Sequence, residues 1–292
     1  MARSNKDNHG LPYPLNSTIP GGPEDPASNT PQPREKGLAF HHLGRLDDPY
    51  AALRRVDTIL LIDDSDSMQS CWDEVGDFLR IVAPVITAHD SDGVGIEFVH
   101  HRATGYHLTG RSGWRHIGNV KGRLDMCDSV AGIFHHVQPK GRKRRNKIDK
   151  RLGVLLDRYV DEDVARALSE TGGKRTPPPL NVIVVTDCDW GEDGGDGLFN
   201  DDGAIARTAR KLDQLHAPPY QVGVQVFRVG ETGRNRTQDE LKFMDDGLWK
   251  LLGVRDMVDT TTWTGKPGEL SPDGILKVVL GAVRRSVDFM EV

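Results

Sequence analysis

Short apolar runs alternate with helically spaced apolar residues along most of this chain. β-Type composition predicts strands at 58–62, 93–101, 181–187, 221–230 and 257–263. Helical spacing predicts helices after the first strand (from about residue 72, kinked or divided at Pro84), over 204–216, from Thr237 to about Leu252, and after Ser271. The third of these helices begins with a capping box, Thr237 and Glu240, and the last with Ser271 at the N-cap and Pro272 at N1.

Strands that alternate with helices predict an α/β fold, a doubly wound and mostly parallel central sheet with helices on both faces. The runs "TILLI" and "VIVV" lack polar alternation and fit central strands. In such a sheet, sites lie at the carboxyl ends of the strands. Two of the predicted strands end in an acid, at Asp63 and Asp187. We therefore expect these two carboxylates at one rim of the sheet.

The amino-acid composition of the chain excludes several classes of protein. The chain has 292 residues, 37% of them hydrophobic and 28% charged, and a net charge of −5, which does not drive binding to nucleic acid or anionic membranes. Its three cysteines are an odd number and do not suggest a disulfide framework. No apolar run approaches the roughly 20 residues of a membrane span, and the N-terminus does not resemble a signal peptide. We expect a soluble, intracellular, cytoplasmic protein.

The first 45 residues differ from the rest of the chain. They contain seven prolines and few aliphatic residues, which predicts a disordered, Pro-rich leader, residues 1–45, before a single domain at 50–290. Such a leader would be dispensable for folding. The alternative is an arm packed on the domain surface.

The stretch "DTILLIDDSDSMQS" carries the main candidate for chemistry. Asp63, Ser65 and Ser67 form D-x-S-x-S directly after an apolar strand and before a helix. Alternating residues of a tight loop can point at one centre, and hydroxyls with carboxylates make an oxygen-only shell. That donor set suits Mg²⁺, which takes few protein ligands and keeps several waters.

These features resemble the von Willebrand factor type A (vWA) domain and its metal-ion-dependent adhesion site (MIDAS), over about 50–290. A closer similarity to fungal intracellular-type members rests on "PLNVIVVTD", "RKLDQLHAPPYQVGVQVFRVG", "RDMVDTTTW" and "ILKVVLGAVRRSVD". The resemblance implies a metal site in which Ser65 and Ser67 bind Mg²⁺ directly, Asp63 binds through water, and Asp187 belongs to the same site. It also implies a non-enzymatic protein-binding module, whose partner completes the metal shell with an acidic side chain.

One departure from the family concerns its second loop, which normally supplies a threonine. The corresponding stretch here is "PKGRKRRNKIDKRL", 139–152, without threonine. Either Lys143 or a neighbouring arginine acts as a built-in counter-ion in a metal-free, degenerate vWA scaffold, or Mg²⁺ still binds through Ser65, Ser67 and water. The basic block 140–151 also has the composition of a nuclear-localisation or nucleic-acid patch, or of a solvated loop and first helical turn.

The main rival function is enzymatic. "LLIDDSDS" also resembles the opening of haloacid-dehalogenase (HAD)-like, magnesium-dependent phosphotransferases, with Asp64 as nucleophile and Asp66 as acid/base. Thr186 ends a later strand, and Asp245–Asp246 would supply further carboxylates. This interpretation leaves the similarity over 180–290 unexplained, so we expect a binding module and not an enzyme.

Overall fold

A computed structural model describes residues 48–90, 93–101, 114–117, 132–139, 147–189, 198, 200–230, 235–263 and 270–283, with the backbone alone at 114–117 and 235–237. These residues belong to one compact unit, Gly37–Val292. The predictions made for residues 1–45, for the threonine-free loop around Lys143 and for most of the acidic stretch after Asp189 lie outside the described residues.

The described strands form one sheet, and its order confirms the predicted fold class. The strands are β1 (Asp57–Ile62), β2 (Val94–Phe98), β3 (Trp114–Ile117), β4 (Leu180–Thr186), β5 (Val222–Arg228) and β6 (Val258–Thr262), in the spatial order β3-β2-β1-β4-β5-β6. All neighbours are parallel except β3, which runs antiparallel to β2. The sequence did not predict β3, because the four residues "WRHI" are too short to show alternation.

Helices cover the sheet. They are α1 (Trp72–His89), α2 (132–136), α3 (Ile148–Arg158), α4 (Arg166–Thr171), α5 (Ala204–Gln214), α6 (Asn235–Lys242), α7 (Leu248–Leu252) and α8 (Pro272–Leu280). Two π-helical segments, Tyr159–Ala165 and Phe243–Gly247, connect α3 to α4 and α6 to α7. Three short 3₁₀ segments are Ala51–Arg55, Asp66–Cys71 and Gly281–Val283.

Several helix ends test the sequence predictions. At α8 the prediction is confirmed: Ser271 Oγ accepts a hydrogen bond from Gly274 N at 3.0 Å, and Pro272 is at N1. α1 continues past Pro84, so of the two predicted effects of this proline, a kink or a division of the helix, the division does not occur. α6 begins at Asn235, so Thr237 lies inside the helix and not at its N-cap. α4 was not predicted, and α3 was anticipated only as the first helical turn in one interpretation of the basic block.

The core is divided by the sheet into two apolar layers. On one face, α1 and α8 cover the sheet; Phe78 of α1 stacks on Phe227 of β5 with ring centroids 4.2 Å apart. On the other face, α3 and α5 pack against β1, β4 and β5 through residues such as Leu152 and Ile205. Every residue of β4 is buried, as expected for a central strand covered on both sides. Burial on both faces fixes which way each strand-end side chain points.

Candidate metal-binding rim

The carboxyl ends of β1 and β4 meet at the point where the strand order changes direction. β1 lies between β2 and β4, with Ile62 opposite Val185. The backbone N–H of Asp63 donates to Val185 O at 2.9 Å, so the pairing extends one residue beyond β1. Asp187 follows β4 directly. Open α/β sheets bind ligands at such a switch point, and the expected adjacency of the two acid-ended strands is confirmed.

The loop after β1 brings the predicted serines to this rim. Ser65 N donates to Asp63 Oδ1 at 3.0 Å, which turns the chain back over the strand end. The hydroxyls of Ser65 and Ser67 lie 3.1 Å apart. Ser67 also hydrogen-bonds the carboxyl group of Asp187 through its side chain. Asp63, Ser65, Ser67 and Asp187 therefore form one connected group, which we call the rim cluster; its role as a metal site stays a prediction.

Asp63 is the most deeply buried member of the rim cluster. Its exposed fraction is 0%, and Thr186 Oγ1 donates to its Oδ2 at 2.9 Å. Burial first, and then the charge of Asp187, raise the pKa of Asp63 to about 7, against the lowering effect of the hydrogen bonds from Ser65 and Thr186. Burial likewise raises the pKa of Asp187. Two carboxyl groups that disfavour each other's ionisation are stabilised by a cation placed between them.

The loop after β4 is held in place by contacts with Met68 and Thr186. Met68 is fully buried, and its Sδ accepts a hydrogen bond from Asp187 N at 3.0 Å. Cys188 adopts a positive φ of 59° and donates its N–H to Thr186 Oγ1 at 3.0 Å. These contacts fix the direction of the Asp187 side chain. Thr186 was visible in the sequence as the end of "VIVVTD", but nothing in the pattern marked Met68.

Asp64, the nucleophile of the enzyme hypothesis, has both of its carboxylate oxygens engaged by backbone N–H groups. The side chain is buried, and its two oxygens accept hydrogen bonds from His100 N at 2.7 Å and His101 N at 2.8 Å. Asp64 therefore ties the end of β2 to the loop after β1. A carboxylate engaged by two backbone N–H groups is a structural anchor, and this geometry disfavours its use as a nucleophile.

The other carboxylates of the enzyme hypothesis lie elsewhere. Asp245, in the π-helical segment between α6 and α7, accepts hydrogen bonds from Thr260 N at 3.3 Å and Thr260 Oγ1 at 3.0 Å. Thr260 belongs to β6, which is separated from β1 by β4 and β5. Asp245 therefore belongs to the β6 side of the sheet and is not brought to Asp63.

The donor set of the rim cluster fits a hard divalent cation. It consists of carboxylate and hydroxyl oxygens, the ligands that Mg²⁺ prefers. The described part of the chain contains no group of three or more His, Cys, Asp or Glu residues placed to hold a metal, so a metal at this rim would depend on the two serine hydroxyls.

Cys188 is buried, and burial together with Asp187 raises the pKa of its thiol well above its ordinary value. Its thiolate is accordingly disfavoured.

One member of the basic block is not solvated. Arg151, in α3, is 5% exposed and forms an ion pair with Glu97 of β2, which is fully buried. Arg151 thus lies in a helical turn, as one interpretation of this stretch predicted, but it is not solvated. Its side chain links α3 to the sheet, while residues 140–146 lie outside the described residues.

No protein-family model matches this chain, and no curated protein matches it. Among solved structures, it is similar to two crystal structures of proximal thread matrix protein 1 from the mussel byssus, at 16% identity and TM-scores of 0.40 and 0.39; the matches cover 78% of this chain and 48% and 47% of those chains. A third structure of that protein, described as having a zinc-occupied MIDAS motif, matches at 15% identity and a TM-score of 0.37, over 77% of this chain and 48% of that one.

This chain thus spans about half the length of the mussel protein chains. At these TM-scores the likeness carries no argument about function, and the fold assignment rests on the strand order of this chain. The closer similarity to fungal intracellular members finds no support among these matches and stays a prediction. Within the described ranges, no helix has the length and apolar character needed to cross a membrane.

Proposed function

We propose that this domain is a non-enzymatic, protein-binding module of the vWA type, which binds its partner at the rim cluster through Mg²⁺. The observation that carries the proposal is the hydrogen-bonded group of Asp63, Ser65, Ser67 and Asp187 at the switch point between β1 and β4. It combines a buried acid, Asp63, and a half-buried acid, Asp187, with two hydroxyls that lie 3.1 Å apart.

In this proposal each residue of the rim cluster has a separate task. Ser65 and Ser67 bind the metal directly, Asp63 acts through a water molecule, and Asp187 neutralises charge and holds Ser67. Bound Mg²⁺ supplies a Lewis-acidic position for an acidic side chain of the partner protein. Two further residues position the acids: Thr186 donates a hydrogen bond to the carboxyl group of Asp63, and Met68 accepts one from the backbone N–H of Asp187.

A calorimetric titration of the full chain with Mg²⁺ tests this proposal. We expect saturable binding to the wild-type chain that Ser65→Ala abolishes. Ser70→Ala is the matched control, because Ser70 belongs to the same loop but is exposed and its hydroxyl donates to Ser67 O at 3.2 Å. Equal binding by the wild type and Ser65→Ala would contradict the proposed site, and no saturable binding to the wild type would favour the metal-free, degenerate scaffold.

The metal-free alternative has its own test at Lys143. If this lysine or a neighbouring arginine is the counter-ion of the acids, Lys143→Thr should create or tighten Mg²⁺ binding and make the stability of the fold newly dependent on Mg²⁺. If the metal already binds the wild-type chain, the substitution should leave its affinity unchanged. The two accounts therefore predict different responses to a single substitution.

The phosphotransferase alternative is less well supported, because Asp64 is held by two backbone N–H groups. A phosphatase assay with Mg²⁺ separates the classes: turnover that Asp64→Asn removes would favour an enzyme.

For location, we propose an intracellular, cytoplasmic protein, with nuclear import through the basic block 140–151 as the alternative. Membrane association and nucleic-acid binding are not part of this proposal.

A further inference from the structure

Glu74 lies in the first turn of α1, after the two serines of the rim cluster. Its Oε2 accepts a hydrogen bond from the backbone N–H of Gly230 at 2.7 Å. Gly230 follows β5 and adopts a positive φ of 87°, in the left-handed region that favours glycine. A Cβ atom at this position would lie 3.4 Å from Cys71 Cβ, so the chain after β5 passes close to the residue that precedes α1. Glu74 therefore ties the chain after β5 to the start of α1.

This contact closes a ring of hydrogen bonds around the rim cluster. Met68 Sδ accepts from Asp187 N at 3.0 Å, which joins the loop after β1 to the end of β4. Val229 N donates to Thr186 O at 3.0 Å, which joins the end of β4 to the end of β5. The hydrogen bond of Glu74 then joins the end of β5 back to the chain that leaves the loop after β1. That loop is thus held to the ends of both β4 and β5.

The direction of the Glu74 side chain is not explained by its position at the N-terminus of a helix. Acids in a first turn are favoured there, and Asp73 of the same turn is exposed, whereas Glu74 is half-buried and reaches another element. Cys71, just before this turn, is buried. Burial first, and then the charges of Asp187, Glu74 and Asp63, raise the pKa of its thiol to about 12. Glu74 is therefore close enough to the acids of the rim cluster to act on the same side chain.

We propose that Glu74 is a positioning residue for the metal site at the rim cluster, an inference that rests on the proposed function. The hydrogen bond from Gly230 N fixes the start of α1 at the end of β5, and with it the preceding turn, Asp66–Cys71, which carries Ser67. Without this hydrogen bond the turn keeps its contact with the end of β4 and loses the one with β5, so that Ser67 shifts relative to Asp187. This task requires an acceptor oxygen at the correct reach, and not the negative charge of a carboxylate.

A calorimetric titration of the full chain with Mg²⁺ separates reach from charge. Glu74→Ala removes the acceptor and should weaken Mg²⁺ binding about tenfold, the scale for losing a group that positions metal ligands. Glu74→Asp keeps the charge on a side chain that is one methylene shorter, and it should also weaken binding. Glu74→Gln keeps an acceptor oxygen at the same reach and should bind as the wild type does. Asp73→Ala, which removes an exposed acid from the same turn, is the matched control and should leave the affinity unchanged.

Two results of this titration would overturn the inference. If Glu74→Gln binds Mg²⁺ as weakly as Glu74→Ala, the charge matters and not the hydrogen bond. If Glu74→Ala binds as tightly as the wild type, the contact with Gly230 does not position the site.

Spectra of the metal-free full chain distinguish a failure of this inference from a failure of the proposed function. In ¹⁵N–¹H spectra, Glu74→Ala should lower the exchange protection of the Gly230 amide and shift the amide of Ser67, while unshifted β6 amides show that the fold is intact. Asp73→Ala should leave the Ser67 amide in place. If the wild type binds no Mg²⁺, the proposed function fails and these spectra decide the inference: a shifted Ser67 amide in Glu74→Ala supports it, and an unshifted one overturns it.

Discussion

Asp63 and Asp259 are two buried carboxyl groups with the same shift and different surroundings. Asp63 is 0% exposed and Asp259 2% exposed, and in both cases the pKa is raised to about 7, with burial as the largest cause. The second-largest cause of the pKa shift differs between the two residues. At Asp63 it is the charge of Asp187, which raises the pKa further, whereas at Asp259 it is Lys277, which lowers it.

The two surroundings indicate different roles. Asp259 has a cation of its own, since Lys277 Nζ lies 4.0 Å from Oδ1, and it is covered by the turn after α8. Asp63 has a second acid and two serine hydroxyls next to it, at the switch point of the sheet. A raised pKa alone marks burial and not a site. The cation beside Asp259 is therefore built in, whereas our proposal has the rim cluster bind an added one.

The largest effect should come from disturbing the cover of Asp259. A Cβ atom added at Gly281 would lie 2.2 Å from Asp259 Oδ2 and 2.7 Å from Gln225 Oε1, too close for either group to stay in place. We expect Gly281→Ala to lower the free energy of unfolding by about 3 kcal/mol in urea denaturation. Gly132→Ala is the control, because a Cβ atom there meets nothing within 4 Å. Equal effects of the two substitutions would show that Asp259 is not tightly enclosed.

The pH dependence of stability should separate Asp259 from an exposed acid. Its pKa of about 7 in the folded chain lies above the value of about 3.9 for an aspartate in an unfolded chain. The folded state therefore binds more protons between these values, and stability that is present below about pH 4 is lost as the pH rises through about 7. We expect Asp259→Asn to reduce the loss of unfolding free energy between pH 5 and pH 8 by on the order of 2 kcal/mol.

The matched control for this measurement is Asp239→Asn, because Asp239 is exposed in α6. It should keep the wild-type pH dependence. An unchanged dependence in Asp259→Asn would mean that this carboxyl group ionises as freely in the folded chain as in the unfolded one.

The smallest of these effects should be the stabilisation by Mg²⁺. A ligand present at ten times its dissociation constant stabilises the folded state by about 1.4 kcal/mol. We expect Mg²⁺ at such a concentration to raise the melting temperature of the wild type and of Asp259→Asn equally, and to leave Ser65→Ala unchanged. A Mg²⁺ response that disappears with Asp259→Asn would reverse the roles that we assign to the two carboxyl groups.

The sequence predicted those parts of the molecule that depend on local pattern. Apolar runs ending in Asp63 and Asp187 gave both strands and their shared rim, because parallel strands present their carboxyl ends at one edge. The helix α3 also has a readable pattern, with Ile148, Leu152 and Leu155 at helical spacing and buried. Only its first turn was anticipated, because the adjacent basic residues dominated the interpretation of that stretch.

Other features depend on contacts between distant residues. Glu97 is a single acid in an apolar strand, and nothing in its neighbourhood names Arg151 as its partner. Asp259 lies in "MVDTTTW", where four consecutive polar residues suggest exposure to water, but α8 and its following turn bury it. Met68 binds Asp187 N only because the loops after β1 and β4 meet. Such contacts follow from the packing of elements and leave no periodic signal in the sequence.

Paramagnetic broadening by Mn²⁺, used in place of Mg²⁺, tests most directly whether the rim cluster and not Asp259 takes an added cation. In ¹⁵N–¹H spectra of the full chain, we predict that substoichiometric Mn²⁺ selectively broadens the amides of Ser65, Ser67 and Asp187, and that excess Mg²⁺ restores them. The amides of Asp259 and its β6 neighbours should stay sharp. Broadening centred on Asp259, or no localised broadening at all, would contradict the account.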